Sequence, residues 1–97
     1  MNHWIIDNKI LLIKIKEHHE GISAIVKTSN KTYLYLLIND NSSFYSYGAS
    51  QQFKGIGNIK PLGDNYYALN LPENAKGIEI ILFNENGKVL KHLTLKI

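Results

Sequence analysis

Apolar and polar residues alternate with period two along most of this chain. Leu11, Ile13 and Ile15 alternate with Leu12, Lys14 and Lys16, which predicts a strand ending near Glu17. The run Glu17 to Gly21 closes it with turn chemistry, and Ile22 to Thr28 is a second strand. Ser29, Asn30 and Lys31 stop that strand, and Thr32 to Asn39, rich in Tyr and Leu, is a third. Asn39 to Ser43 reads as a turn, because short Asn, Asp and Ser side chains bond to nearby backbone and tolerate left-handed conformations. Phe44 to Tyr47 resumes the extended pattern. Between Gly48 and Asp64 the pattern fails: four glycines and Pro61 leave only a short strand around Gln52 to Ile56. Asn65 to Leu71 alternates again, with Tyr67, Leu69 and Leu71 on one face, and Pro72 ends it by removing a backbone donor.

The stretch Gly77 to Ile97 predicts a β-hairpin whose register can be derived. Asn86-Gly87 suits a two-residue type I′ loop, since both central residues need positive φ. Glu85 would then face Lys88, Ile80 would meet Leu93, and Ile78 would meet Leu95. Glu79 with Thr94 and Ile81 with His92 would point the other way. One face is apolar and the other mixed, as in a strand pair laid over a core. No segment shows apolar spacing of three and four over the roughly ten residues that a helix needs.

These elements predict an all-β chain: an antiparallel two-sheet β-sandwich of about seven strands, forming a single domain over residues 1–97. A chain of 97 residues has material for one core. Its longest apolar runs, Ile10 to Ile13 and Leu34 to Ile38, fall far below the roughly 18 residues of a membrane-spanning helix. The N-terminal sequence lacks the features of a signal peptide, which leaves two expectations: a cytosolic protein, or a domain taken from a longer chain. Compartment is not fixed by sequence, although the reading of a module leans toward a cell-surface or secreted parent protein.

The run Leu69, Asn70, Leu71, Pro72, followed by Ile78 to Asn84 and Gly87, resembles the last three strands of fibronectin type III and related immunoglobulin-like modules. In that family a Leu-x-Leu-Pro corner precedes an alternating strand and a glycine turn. The resemblance extends loosely over Lys9 to Ile97. It departs from the family at two places: Ile78 stands near the usual corner Tyr, and the second strand has no Trp. Small Ig-like accessory modules of bacterial surface and polysaccharide-handling proteins look similar in their aromatic strands. The resemblance implies a non-catalytic interaction or spacer module within a larger bacterial protein, with a neighbouring domain or protein as partner.

Charge and chemistry narrow the alternatives. The formal net charge is +3, and all eleven basic residues are Lys, with no Arg. They are spread along the chain, and Arg makes the commonest bidentate base contacts, so nucleic-acid binding is not expected. With no Cys, thiolate metal sites, disulfides and cysteine nucleophiles are excluded. No Ser lies in a Gly-x-Ser-x-Gly elbow, and Gly55 to Asn58 lacks the spacing of a phosphate loop. No catalytic residue and no cofactor is expected.

Three clusters remain as candidate sites. His18 and His19, flanked by Glu17 and Glu20, have metal-binding chemistry, but neighbours on a strand point to opposite faces. His3 and His92 would approach each other if the first and last strands paired. Tyr33, Tyr35, Tyr45 and Tyr47 would form an exposed strip for carbohydrate or another ligand if the loop between their strands has odd parity. Ile81, Phe83, Leu90 and His92, on the mixed face of the hairpin, are candidate partner-binding residues, with cover by the chain's own segments as the alternative.

Overall fold

A computed structural model describes residues 1–16, 21–38, 55–84 and 88–97. These residues form nine strands in two sheets. In chain order they are β1 Asn2–Ile6, β2 Ile10–Lys14, β3 Gly21–Lys27, β4 Thr32–Ile38, β5 Gly55–Asn58, β6 Lys60–Gly63, β7 Tyr66–Asn70, β8 Gly77–Phe83 and β9 Val89–Lys96. One sheet has the order β1-β2-β7-β6 and the other β5-β4-β3-β8-β9, all antiparallel except the β4–β5 pair. The chain is therefore all-β with a sandwich-like architecture, as its period-two pattern predicts.

The alternation decides which side chains meet between the sheets. Leu11, Ile13 and Ile15, with Leu69 of β7, face Ile22, Ala24 and Val26 of β3 and Ile78, Ile80 and Leu82 of β8 in one buried cluster. Each such side chain contributes about 1.5–3 kcal/mol on burial. The derived register of the last hairpin holds over most of its length: Ile78 pairs with Leu95, Glu79 with Thr94, Ile80 with Leu93 and Ile81 with His92. It shifts between Leu82 and Phe83, where a β-bulge sets Phe83 opposite Val89. Glu85, expected opposite Lys88, lies outside the described residues. Asn84 N–H donates to Lys88 O at 3.0 Å, and Lys88 N–H donates to Asn84 Oδ1 at 3.0 Å. The Asn86-Gly87 loop itself lies outside the described residues.

Strand β3 is buried along both faces, as the unbroken sequence Ile22-Ser23-Ala24-Ile25-Val26 requires. Its second face carries Ile25, which joins Leu34, Ile81 and Phe83 in a smaller cluster on the side of the five-stranded sheet away from the main core.

Two elements depart from the expected seven strands. β1 pairs with β2 from Asn2↔Lys14 to Ile6↔Ile10, through a turn in which Asp7 and Asn8 have φ of 52° and 54°. Lys9 N–H donates to Ile6 O across this turn at 2.9 Å. The Gly-rich region also contributes more than the short strand expected around Gln52 to Ile56, of which residues 52–54 lie outside the described part. β5 and β6 are one nearly continuous extended segment: β5 pairs with β4 in one sheet and β6 with β7 in the other. Ile59, between them, is buried in the main core, and its N–H donates to Leu36 O at 3.2 Å. Pro61 is tolerated because, among the described residues, β6 is an edge strand of its sheet. The expected strand Phe44 to Tyr47 lies outside the described residues.

Candidate functional site

The outward face of the four-stranded sheet carries Trp4, the half-buried Tyr66 and two lysines, Lys14 and Lys60. Inward residues of β2 and β7 are Leu11, Ile13 and Leu69, so Ile10, Leu12, Lys14, Tyr66, Ala68 and Asn70 face out. On β1, Trp4 lies opposite Leu12 and Ile6 opposite Ile10, and both join this outward face. Trp4 is 44% exposed and Ile6 45%, large values for side chains of this size in a sheet.

Trp4 reaches diagonally across β2 toward Tyr66, with ring centroids 6.2 Å apart and planes inclined at 34°. Lys14 Nζ stands 4.8 Å from the centroid of the Tyr66 ring, a cation–π contact worth about 0.5–1 kcal/mol at an exposed site. The register then carries the row Trp4, Leu12, Ala68, Lys60 straight across all four strands. Beside its far end, Ile10, Asn58, Lys60, Ala68, Leu69 and Asn70 line an open cavity of about 170 Å³.

The candidate tyrosines are placed differently. Tyr33 lies opposite Val26 and Tyr35 opposite Ala24, so both face the main core. Tyr35 belongs to the buried cluster at 9% exposure, and Tyr33 packs against it half-buried. Burial raises the Tyr35 phenol above its ordinary range, and the neighbouring Tyr33 adds to that shift. An exposed strip that includes Tyr33 and Tyr35 is thus replaced by a core contact. Tyr45 and Tyr47 lie outside the described residues.

On the mixed face of the hairpin, Ile81 is 0% and Phe83 3% exposed. The chain itself covers them, so the surface left for a partner contracts to Leu90, 46% exposed, and His92. His92 Nε2 lies 3.8 Å from Glu79 Oε2, and Lys27 Nζ lies 3.8 Å from Glu79 Oε1. Exposed pairs of this kind contribute about 0–1 kcal/mol. His3 belongs to β1 and His92 to β9, in different sheets, so the pairing that would bring them together does not occur.

His18 and His19 lie outside the described residues. Among the described residues, no group of three or more His, Asp or Glu side chains is arranged to hold a metal ion. No helix among them is long and apolar enough to cross a membrane.

Trp4, Tyr66 and Lys14 escaped the sequence reading. The available signal was the alternation Asn2, Trp4, Ile6 followed by Asp7-Asn8, a pair that tolerates positive φ and so turns the chain back onto β2. Comparison with family models, curated proteins and solved structures gives no match to this chain.

Proposed function

We propose that this chain is a non-catalytic, immunoglobulin-like interaction or spacer module of a longer protein. The observation that carries this reading is the path of the chain through the sandwich. Asn2 pairs with Lys14 at one end of β2. Ile97 N–H donates to Lys76 O at 3.4 Å, and Ile97 shares a cavity of about 350 Å³ with Asn8, at the other end of β2. The chain thus enters at one end of the sandwich and leaves at the opposite end. That geometry suits a module inserted in line between two others.

The strand order supports the immunoglobulin-like part of the reading. With β1, β2, β7 and β6 as strands A, B, E and D, and β9, β8, β3 and β4 as G, F, C and C′, the two sheets follow the order of such modules. β5 is an addition at the C′ edge. Fold does not fix function, so the test addresses geometry. The chain would be fused between two compact reporter domains and examined by small-angle X-ray scattering. In-line insertion separates the reporters by the module's own length, up to its longest extent of 33 Å, in addition to their own radii. Reporters lying side by side would defeat the spacer reading.

A further inference from the structure

We propose that the outward face of the four-stranded sheet binds an acidic glycan, a polysaccharide chain carrying carboxylates, along the row from Trp4 to Lys60. This goes beyond the spacer reading and rests on separate observations. Sugar rings are amphipathic: their C–H faces stack on flat aromatic surfaces, and their hydroxyls need donors and acceptors around the rim. The face supplies both. Trp4 of β1 and Tyr66 of β7 give an aromatic platform that reaches across β2, with centroids 6.2 Å apart. Beside it lies the cavity of about 170 Å³, lined by Ile10 and Ala68 together with Asn58, Lys60 and Asn70. That volume is of the order of one pyranose ring.

The platform adjoins the cavity: Tyr66 stands two residues before Ala68 on β7. Trp4, Leu12, Ala68 and Lys60 are consecutive cross-strand partners. Three strand spacings of about 4.8 Å separate the ends, so the row spans about 14 Å, enough for a short run of sugar units and too long for one. An extended oligosaccharide is the ligand shape that meets both ends together.

Charge selects the acidic class. The charged residues among the outward strand positions of this sheet are Lys14 and Lys60, and none of those positions holds Asp or Glu. The nearest carboxylates in sequence, Asp7 and Asp64, belong to the turns at the ends of the sheet. Lys14 is already held over the Tyr66 ring, with its ammonium beside the surface on which a sugar would stack. Two ammonium groups, Lys14 on the inner strand β2 and Lys60 on the edge strand β6, complement carboxylates spaced along a chain. A nucleic acid is less well matched, because its dense phosphates call for more cations than two Lys and this chain has no Arg.

Trp4 is the one Trp of the chain, so its emission reports from inside the proposed site. The full chain would be titrated with oligogalacturonate, a neutral malto-oligosaccharide of equal length, and oligo-dT. Saturable change of Trp4 emission with oligogalacturonate, at least tenfold weaker with the neutral sugar, is the expected result. Lys60→Gln weakens the acidic ligand by about tenfold or more, as loss of a charge-assisted hydrogen bond does, while the melting temperature stays unchanged. Trp4→Ala, followed by calorimetry, abolishes binding in a chain that still melts cooperatively. No emission change with oligogalacturonate overturns the proposal, as does equal affinity for the neutral sugar. Tighter binding of oligo-dT also overturns it and assigns the face to single-stranded nucleic acid. The scattering test of the spacer reading can fail without touching any of these outcomes.

Discussion

The ring of Tyr35 occupies the space beside Gly57, its partner across the β4–β5 ladder, and a Cβ built on Gly57 would overlap the ring. The glycine is therefore a packing requirement: Tyr35 reaches the core only because the facing residue has no side chain. Gly57→Ala forces the ring or the strand to move, at a cost of about 1–3 kcal/mol. For a domain of this size, each kcal/mol lowers the melting temperature by about 4–8 °C. Thermal melts of Gly57→Ala, Tyr35→Leu and the double variant check this. The double variant recovers part of the loss, whereas simple additivity would show that the two residues do not meet.

The same tyrosine makes stability depend on alkaline pH. Its folded-state pKa is raised, first by burial and then by Tyr33, above the value of about 10 expected in the unfolded chain. Between the two values the folded state holds the proton and the unfolded state releases it. Unfolding free energy then falls as pH rises, so this contribution is whole below about pH 10 and is lost as pH climbs through the raised value. Urea melts from neutral to strongly alkaline pH should show a shallower decline for Tyr35→Phe than for the native chain. Parallel curves would mean that Tyr35 does not contribute.

The Asp7-Asn8 turn offers a test of backbone conformation with no change to the core. Asn8 has φ of 54°, which glycine adopts without strain and a β-branched residue does not. Asn8→Gly is expected to leave stability unchanged or slightly raised. Asn8→Val should cost about 1–2 kcal/mol. Equal melting temperatures for the two variants would show that β1 does not turn back onto β2 as described.

Ile81 and Leu90 separate internal cover from a partner surface. Ile81 is fully buried in the single chain and Leu90 is 46% exposed. Ile81→Ala should therefore destabilise by about 2–5 kcal/mol, and Leu90→Ala by no more than about 0.5 kcal/mol. A small effect of Ile81→Ala in the isolated chain would return that residue to the partner surface.

How legible each element was in the sequence depended on contrast between its faces and on turn residues that fix parity. The β8–β9 register could be derived because one face is apolar, the other mixed, and a two-residue loop sets every later pair. It failed only past Leu82, where the bulge inserts a residue that no alternation announces. β4 had no such contrast. Tyr33 and Tyr35 alternate with Leu34 and Leu36, all of them good strand residues, and both faces are at least partly covered. Which set faced the main core was settled by pairing with Val26 and Ala24, a long-range fact. β1 was hidden for the opposite reason: its register puts Trp4 and Ile6 on the outward face and His3, itself exposed, on the other, against the usual polarity. β5 and β6 were hidden by Gly55, Gly57, Gly63 and Pro61, residues that argue against a strand unless it runs along an edge. The aromatic face around Trp4 depended on β1 and so could not be seen without it.

The segment from β5 through Ile59 to β6 hydrogen-bonds to one sheet with its first half and to the other with its second. A sandwich held only by side-chain packing can loosen by letting its layers slide, since dispersion contacts have little direction. Here such a slide would shear the ladder on one side of Ile59 or the other. The layers are thereby fixed in register as well as in separation, and an in-line pull on the two chain ends meets directional bonds in addition to a greasy interface.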